Sequence, residues 1–158
     1  MEHPQRKPNR IPDYDYSLGG CYFVTICTQN RAHILSHIVG DDAHIVPKPY
    51  GQIVEKYIRN APEVEKYVLM PDHVHMIIRL KSGSMWASTP TSARCQQHNR
   101  VSGIVRSIKT LTTKEIGTPI FQRSYYDHVI RNQQDYNEIW EYIENNPRKW
   151  AITKQNLD

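Results

Sequence analysis

The sequence predicts an α+β fold in which a mainly antiparallel sheet carries helices packed on one face. Segments rich in β-branched and aromatic residues alternate with segments whose apolar residues recur at helical spacing. Along the chain these segments follow the order strand, helix, hairpin, helix, strand, helix. The hairpin and the short first connection favour antiparallel pairing of the strands, and the helices then cover the sheet.

The composition is that of one globular domain spanning residues 1–158, with an apolar fraction of 39% and an aromatic fraction of 9%. No apolar run approaches the ~18 residues that a membrane span requires, and the first residues lack the apolar core of a signal peptide. A cytoplasmic location is therefore expected. Cys21, Cys27 and Cys95 are odd in number and show no CxxC spacing, so neither a disulfide framework nor a zinc site is indicated.

Positive charge is in excess, since 20 Lys and Arg residues against 16 Asp and Glu residues leave a formal net charge of +4. Such an excess suits a polyanionic partner, and it also suits many ordinary proteins. Arg6, Lys7 and Arg10 cluster in an N-terminal arm, and Arg106 and Lys109 lie in a predicted helix. Both groups are candidates for contact with DNA, with a solvated surface as the alternative.

The first part of the chain predicts an arm, a strand and a helix. The arm, residues 1–18, is polar and contains three prolines, so an extended conformation is expected. Segment 21–28 has the composition of a buried strand. A loop region with Pro47 and Pro49 then leads to a helix over 51–60, whose apolar residues keep helical spacing.

The middle of the chain predicts a β-hairpin followed by a loop. Segments 65–70 and 73–80 have the composition of strands, and the Pro-Asp pair at 71–72 forms the turn between them. Residues 81–98 are small and polar, which indicates a long flexible loop.

The last part of the chain predicts a strand between two helices. An amphipathic helix follows the loop and ends at about Ile116, where a glycine stops it. A strand is predicted over 121–130. The final helix begins near Asn132, which is a suitable N-cap, and is expected to end by Asn146 because the next residue is a proline.

His73 and His75 form the most informative pattern in the sequence. Side chains alternate along a strand, so both imidazoles point to one face, about 6.5 to 7 Å apart along the strand, and could converge on one divalent ion. A His-x-His pair alone occurs more often as two incidental surface histidines. Two rival chemistries need further residues. A histidine-triad hydrolase requires a histidine where Ile77 stands. A β-lactamase-type metal hydrolase requires an Asp-His pair shortly after the two histidines, and residues 76–81 contain neither Asp nor His.

The final helix offers a second candidate pair. Its apolar residues form one stripe, and they are Tyr136, Ile139, Trp140 and Ile143. Tyr142 lies roughly 110° from the centre of that stripe, so partial exposure is expected. Asn146 follows four residues later on the same side. A phenol and a neutral oxygen ligand could therefore face one metal ion, although an interfacial aromatic residue and a helix C-cap are the simpler interpretation.

Three blocks of the sequence, in family order, resemble the single-tyrosine HUH transposases of the IS200-like superfamily. Residues 67–78 resemble the HUH signature of that superfamily. Residues 121–132 and 135–150 resemble two further blocks of its repeat-associated branch, the REP-associated tyrosine transposases. Two positions depart from common patterns. Asp72 replaces the more usual Asn or Glu, and Asn146 stands where the insertion-sequence branch has Gln.

The resemblance implies a ferredoxin-like antiparallel sheet of the HUH endonuclease type, with the paired histidines on a central strand. It implies that His73 and His75 bind Mg²⁺ or Mn²⁺, that Asn146 is a third ligand and that Tyr142 is the nucleophile. The substrate would be single-stranded DNA containing a hairpin, cleaved through a 5′-phosphotyrosine intermediate. The active unit would be a homodimer or a monomer.

Several other residues are candidates near this chemistry. Arg123 and Arg131 could hold phosphates, and His128 could line the site. Tyr125, Tyr126 and Tyr136 are rival nucleophiles, although packing is the commoner role for tyrosines in strands or apolar stripes.

Three alternatives to a mobile transposase remain open from the sequence. The first is a domesticated endonuclease that processes chromosomal repeats with the same chemistry. The second is a non-catalytic nucleic-acid-binding module, because a ferredoxin-like sheet does not define function. The third is a metal-dependent phosphodiesterase, which would form no covalent intermediate.

Overall fold

The computed structural model describes the backbone of residues 20–80 and 90–155, and the side chains of residues 20–80 and 100–154. The predicted N-terminal arm, with Arg6, Lys7 and Arg10, lies outside these residues. The order of elements is β1 (Gly20–Cys27), β2 (Ser36–Val39), β3 (His44–Pro47), α1 (Pro49–Arg59), β4 (Val64–Leu69), β5 (His73–Leu80), α2 (Pro90–Ile116), β6 (Tyr126–Ile130) and α3 (Gln133–Gln155).

The main sheet is antiparallel and has the strand order β4-β5-β1-β6. The elements β1, α1, β4, β5, α2 and β6 follow the βαββαβ order of the ferredoxin-like fold. The hairpin formed by β2 and β3 is inserted between β1 and α1, and α3 is added at the end. The predicted fold class is therefore confirmed. In the central pair of strands, Cys27 of β1 lies opposite His73 of β5.

The two faces of the main sheet are covered by different helices. α1 and α2 pack on one face over a large apolar cluster, which includes Tyr22, Val24, Ile26, Val54, Ile58, Val74, Met76, Ile78, Val101, Val105 and Ile108. α3 packs on the other face over a smaller cluster, which includes Cys21, Phe23, Val68, Ile77, Ile130 and Ile143. Helices on one face were predicted, and this holds for α1 and α2 only. The strands carry apolar residues on both faces, so both faces require cover.

The hairpin of β2 and β3 replaces part of a predicted loop. Its strands have four residues each, and the four residues 40–43 connect them. Gly40 has φ +74° in this turn, a conformation that glycine adopts without steric cost. Strands this short carry little periodic signal, and the loop prediction around Pro47 overlooked them.

Two predicted boundaries before the final helix differ from the structure by several residues. α2 begins at Pro90, so the loop expected over 81–98 is helical in its last part; a proline in the first helical turn loses no hydrogen bond. The strand expected over 121–130 is limited to β6, although Phe121 forms an isolated bridge with Thr28.

No helix in the described ranges is long and apolar enough to cross a membrane.

The final helix continues through Pro147 instead of ending at Asn146. It begins as predicted, because the Asp135 backbone N–H donates to the Asn132 side-chain oxygen at 2.8 Å. A proline within a helix costs about 3 kcal/mol. The turns beyond Pro147 gain tertiary contacts in return: Trp150 packs against the smaller cluster, and its ring centroid lies 5.9 Å from that of His73. Packing of the last turns therefore outweighs the local effect of Pro147, on which the predicted end of the helix at Asn146 was based.

Candidate active site

His73 and His75 lie on one face of β5, as their spacing predicts. β5 is a central strand between β1 and β4. The two ring centroids are 4.5 Å apart, and the two Nε2 atoms are 3.0 Å apart. Val74 between them is fully buried in the large apolar cluster on the opposite face. The strand thus supplies a pair of convergent ring nitrogens and a core residue within three positions.

The second nitrogen of each histidine has a partner that orients the ring. Asp72 Oδ1 is 2.6 Å from His73 Nδ1. A carboxylate can only accept, so His73 Nδ1 carries the proton and Nε2 presents its lone pair. Thr25 Oγ1, on the neighbouring strand β1, is 2.7 Å from His75 Nδ1. These two contacts hold both Nε2 atoms toward the same space.

Asp72 is itself held by Arg31 from the turn after β1. Arg31 Nε lies 2.9 Å from Asp72 Oδ2, and Asp72 is 4% exposed. Asn30 and Arg31 have φ values of 55° and 54°, a left-handed conformation that is uncommon for residues other than glycine. The turn is anchored by Thr28, whose hydroxyl donates to the Asp72 carbonyl oxygen at 3.0 Å. A strained turn thus places a guanidinium beside the histidines.

Burial lowers the pKa of both imidazoles. The pKa of His75 falls to about 3, because desolvation penalises its charged form and because His73 and Arg31 add positive charge nearby. The pKa of His73 is also lowered by burial, and the hydrogen bond to Asp72 opposes the shift. Both rings are therefore neutral near pH 7, which is the form that binds a metal ion.

The donor set fits a divalent metal ion. Two nitrogens that occupy adjacent positions around one octahedral ion at about 2.1 Å are about 3.0 Å apart, and the Nε2 atoms show a separation of 3.0 Å. Within the described ranges, no group of three or more His, Cys, Asp and Glu side chains could hold a metal. Asn146, which is 8% exposed, lines the same cleft.

Tyr142 lies on α3 over the histidine pair. Its ring centroid is 5.4 Å from that of His75 and 6.0 Å from that of Phe23. Tyr142 is 42% exposed, whereas the adjacent Ile143 is 1% exposed. The expected position beside the apolar stripe is therefore found. The phenol is accessible from solvent and is close to the convergent imidazoles.

A cleft of about 550 Å³ encloses these groups. It is lined by Thr25, Arg31, His33, His73, His75, Tyr142, Asn146, Lys149, Trp150, Thr153 and Lys154. Three of these residues carry a permanent positive charge, and none is acidic. A cleft with this balance of charge attracts an anion such as a phosphodiester.

Several lining residues were not found from the sequence. Lys149, Thr153 and Lys154 escaped because the helix was expected to end at Asn146. A continuous helix would have placed Lys149 three residues after Asn146, on the same side. Arg31 gave no local signal, because only the tertiary structure brings its turn to the cleft.

The predicted DNA-binding residues are dispersed in the structure. Arg106 is exposed on α2. Because α2 covers the face of the sheet opposite the histidines, the sheet separates Arg106 from them. Lys109 is half-buried, and its ammonium donates to the carbonyl oxygens of Gln122, Arg123 and Ser124 at 2.8, 3.3 and 3.5 Å. That ammonium therefore holds the segment before β6 in place.

The remaining two arginines lie at opposite ends of the sheet. Arg123 is exposed and follows Gln122, whose backbone N–H donates to the Cys27 carbonyl oxygen near the histidine end. Arg131 follows Ile130, which pairs with Cys21. The seven residues from Cys21 to Cys27 span about 20 Å along the strand, so Arg131 is distant from the histidines.

The rival residues have other surroundings. The Tyr125 hydroxyl is 2.7 Å from Ser102 Oγ, and the Tyr136 ring lies 5.7 Å from that of Trp140. Tyr126 is exposed at the sheet edge, and His128 Nε2 is 3.0 Å from Asp135 Oδ2. Among the described tyrosines, Tyr142 is the one that lines the cleft.

These features together define a class of protein. A ferredoxin-like antiparallel sheet presents two histidines from a central strand, and a separate helix brings a solvent-accessible tyrosine over them. That combination characterises the HUH proteins with a single tyrosine, which the sequence blocks also resemble.

Comparison with known proteins shows which relatives the chain resembles. No family model matches the chain. It is 30% identical over 172 residues to an uncharacterized protein of Haemophilus influenzae, covering 97% of this chain and 94% of the relative. It is 28% identical over 148 residues to the REP-associated tyrosine transposase of Escherichia coli K12, covering 90% of this chain and 75% of the relative.

A solved structure agrees with these relatives. The structure of a REP-associated tyrosine transposase bound to a REP hairpin matches with a TM-score of 0.55 and 25% sequence identity, covering 94% of this chain and 74% of that one. In sequence and in fold, the chain is thus similar to REP-associated tyrosine transposases.

Proposed function

We propose that this chain cleaves and rejoins single-stranded DNA through a 5′-phosphotyrosine intermediate on Tyr142. The observation that carries the proposal is the position of Tyr142, whose ring lies 5.4 Å from that of His75, beside two Nε2 atoms that are 3.0 Å apart. Similarity to REP-associated tyrosine transposases supports the same class of reaction.

His73, His75 and Asn146 would hold a divalent ion, either Mg²⁺ or Mn²⁺. When bound, such an ion polarises a non-bridging phosphate oxygen and stabilises the negative charge that develops there. Imidazole ligands suit Mn²⁺ better than Mg²⁺, so Mn²⁺ is the better ion for a first assay. Asp72 and Thr25 keep the two imidazoles in the required orientation.

In the proposed step, the Tyr142 oxygen attacks the scissile phosphorus and its proton is lost to solvent. A bond forms between that oxygen and the 5′-phosphate, the bond from phosphorus to the 3′-oxygen breaks, and the 3′-oxygen takes up a proton. Lys149 Nζ lies 5.6 Å from the Tyr142 ring centroid, where its positive charge would offset the negative charge of the attacked phosphodiester. Arg31 is placed to hold the phosphodiester.

Rejoining follows from the same chemistry in reverse. One phosphoester bond replaces another, so a 3′-hydroxyl can attack the phosphotyrosine and join two strands without ATP. Tyr142, His73 and His75 lie together within a single chain. A monomer, or a homodimer with two complete sites, is compatible with this arrangement.

The proposed substrate is single-stranded DNA that contains a hairpin. The cationic cleft suits a phosphodiester chain, and the solved relative is bound to a REP hairpin. Repeat processing within a chromosome and movement of a DNA element would use the same site.

The decisive experiment is incubation of the chain with labelled single-stranded DNA from the flanks of its own gene, in Mn²⁺, Mg²⁺ or EDTA. We expect a covalent adduct on a denaturing gel with either metal and no adduct in EDTA. Peptide mapping should place the DNA on Tyr142.

Three outcomes would contradict the proposal in different ways. An adduct on Tyr125, Tyr126 or Tyr136 would assign a different nucleophile. Cleavage without any adduct would indicate a metal-dependent phosphodiesterase. Binding without cleavage in either metal would indicate a nucleic-acid-binding module.

A further inference from the structure

A second groove, of about 400 Å³, adjoins the cleft. It lies between the hairpin of β2 and β3 and the last turns of α3, and its lining includes Ser36, His37, Asp41, Lys48, Trp150 and Lys154. Both the groove and the cleft are lined by His33, Trp150 and Lys154. The two spaces are therefore adjacent parts of one surface depression, with the histidine pair in one part.

Aromatic rings lie at the boundary between the two spaces. The Trp150 ring centroid is 5.5 Å from that of His33 and 5.9 Å from that of His73. Lys154 Nζ is 5.7 Å from the Trp150 ring centroid. An indole beside an ammonium is a combination found where proteins bind single-stranded nucleic acid, because a base stacks on the ring and the cation contacts the phosphate.

The charge of the groove also suits a polyanion. Lys48 and Lys154 supply two ammonium groups, and the exposed His37 adds an imidazole. Lys48 Nζ donates to the His33 carbonyl oxygen at 2.5 Å, which fixes one of these cations at the groove wall. Asp41, in the turn of the hairpin, is the one carboxylate among the lining residues.

We propose that this groove binds the single-stranded DNA next to the scissile phosphate, with a base stacked on Trp150 and the backbone held by Lys154. The proposal rests on the proposed function, since it assumes DNA in the neighbouring cleft. It gives the hairpin of β2 and β3 and the helix beyond Pro147 a role in DNA binding. That role is separate from the cleavage chemistry of the histidines and Tyr142.

The test measures how affinity depends on the length of the DNA. All proteins carry Tyr142→Phe, so that the DNA is bound and not cleaved. The probes are hairpin oligonucleotides whose single-stranded flank is extended one nucleotide at a time, on the 5′ side in one series and the 3′ side in the other. We expect the affinity to rise with length in one series and then to level off.

Variants of the groove should remove that gain. Trp150→Leu should reduce the gain about tenfold, because one stacked base contributes on the order of 1–3 kcal/mol, and Trp150→Phe should retain most of it. Lys154→Ala combined with His37→Ala should reduce the gain and lower the salt dependence of binding by roughly one phosphate contact. Arg148→Ala is the matched control, because Arg148 is exposed on the same helix and lines neither space.

Affinity that is independent of flank length in both series would overturn the proposal, and so would an equal loss in Arg148→Ala. If Trp150→Leu disturbs His73, the double variant with His37→Ala and Lys154→Ala still tests the groove, because it leaves Trp150 unchanged. Adduct formation by the chain with Tyr142 intact is scored separately, so failure of the groove and failure of the proposed function give different results.

Discussion

The two faces of the main sheet are made from the same strands and differ in what they hold. Under α1 and α2, Val24, Val74 and Met76 are fully buried in one apolar cluster. Under α3 the apolar cluster is smaller, and where β1 ends and β5 begins the face carries hydrogen-bonded polar side chains instead. One face is a closed core, and the other is a core with a cleft at one end.

The difference shows how closely stability and chemistry are interleaved in this chain. Side chains alternate along β5, so a residue of the core and a candidate metal ligand are neighbours in sequence. Substitutions at adjacent positions should therefore affect different properties.

The largest expected effect is the loss of covalent chemistry in Tyr142→Phe. The phenol oxygen is the proposed nucleophile, so adduct formation should fall by at least about a thousandfold. The ring is retained and is already 42% exposed, so the free energy of unfolding should change by less than about 0.5 kcal/mol. Gel assays of the adduct and denaturant unfolding measure the two quantities.

Tyr136→Phe is the control for that variant. Tyr136 lies in the apolar stripe and packs beside Trp140, so its ring is sufficient and activity should be retained. Equal loss of the adduct in both variants would contradict the separate roles of Tyr136 in the apolar stripe and Tyr142 in the cleft.

The next prediction compares His75→Ala with Met76→Ala. Met76 is fully buried in the large cluster, so its truncation should lower the free energy of unfolding by about 2–5 kcal/mol. His75→Ala should cost about 1 kcal/mol in stability and weaken Mn²⁺ binding by at least about a hundredfold. Metal titration and chemical denaturation of both variants decide the point, and unchanged Mn²⁺ affinity in His75→Ala would remove His75 from the site.

A smaller effect is expected for Thr25→Val. The change keeps the shape of the side chain and removes the hydroxyl that is 2.7 Å from His75 Nδ1. Mn²⁺ affinity should fall by about tenfold, since His75 loses the partner that orients it. Thr25→Ser should restore the affinity, which a purely steric role for Thr25 would not explain.

An effect of about the same size as that of Thr25→Val is expected for Asn146→Ala. If the amide is the third ligand, the metal concentration for half-maximal activity should rise by about tenfold, while DNA affinity measured in EDTA stays the same. Asn145→Ala is the matched control, because Asn145 is exposed on the adjacent position of α3. A similar change in both variants would argue against a metal-binding role for Asn146.

Much of the fold could be predicted because the relevant signal is local. The strand over 21–28, the hairpin around Pro71 and the helix over 51–60 each follow from periodicity and from the residues that end them. The hairpin of β2 and β3 was missed because four-residue strands provide little periodicity; the Gly40-Asp41-Asp42 turn was its main signal. The end of α3 was misplaced because a local rule about Pro147 was applied where packing prevails.

The candidate site was predicted only where it is local. Spacing placed His73 and His75 on one face and Tyr142 beside the apolar stripe, and the structure shows both. The cations that surround them were missed. Lys149 and Lys154 follow the proline at which the helix was expected to end, and Arg31 comes from a turn more than 40 residues before Asp72, the residue it contacts.

The sequence by itself determined which side of each strand and helix is apolar, and with it the pairing of the two histidines and the exposure of Tyr142. The tertiary structure decided which element covers each side. It placed α3 on the face opposite α1 and α2, carried that helix past Pro147 and brought Arg31 to the cleft. The physical reason is that periodicity reports the apolar surface of an isolated element, whereas its partner is selected by the packing free energy of the whole domain.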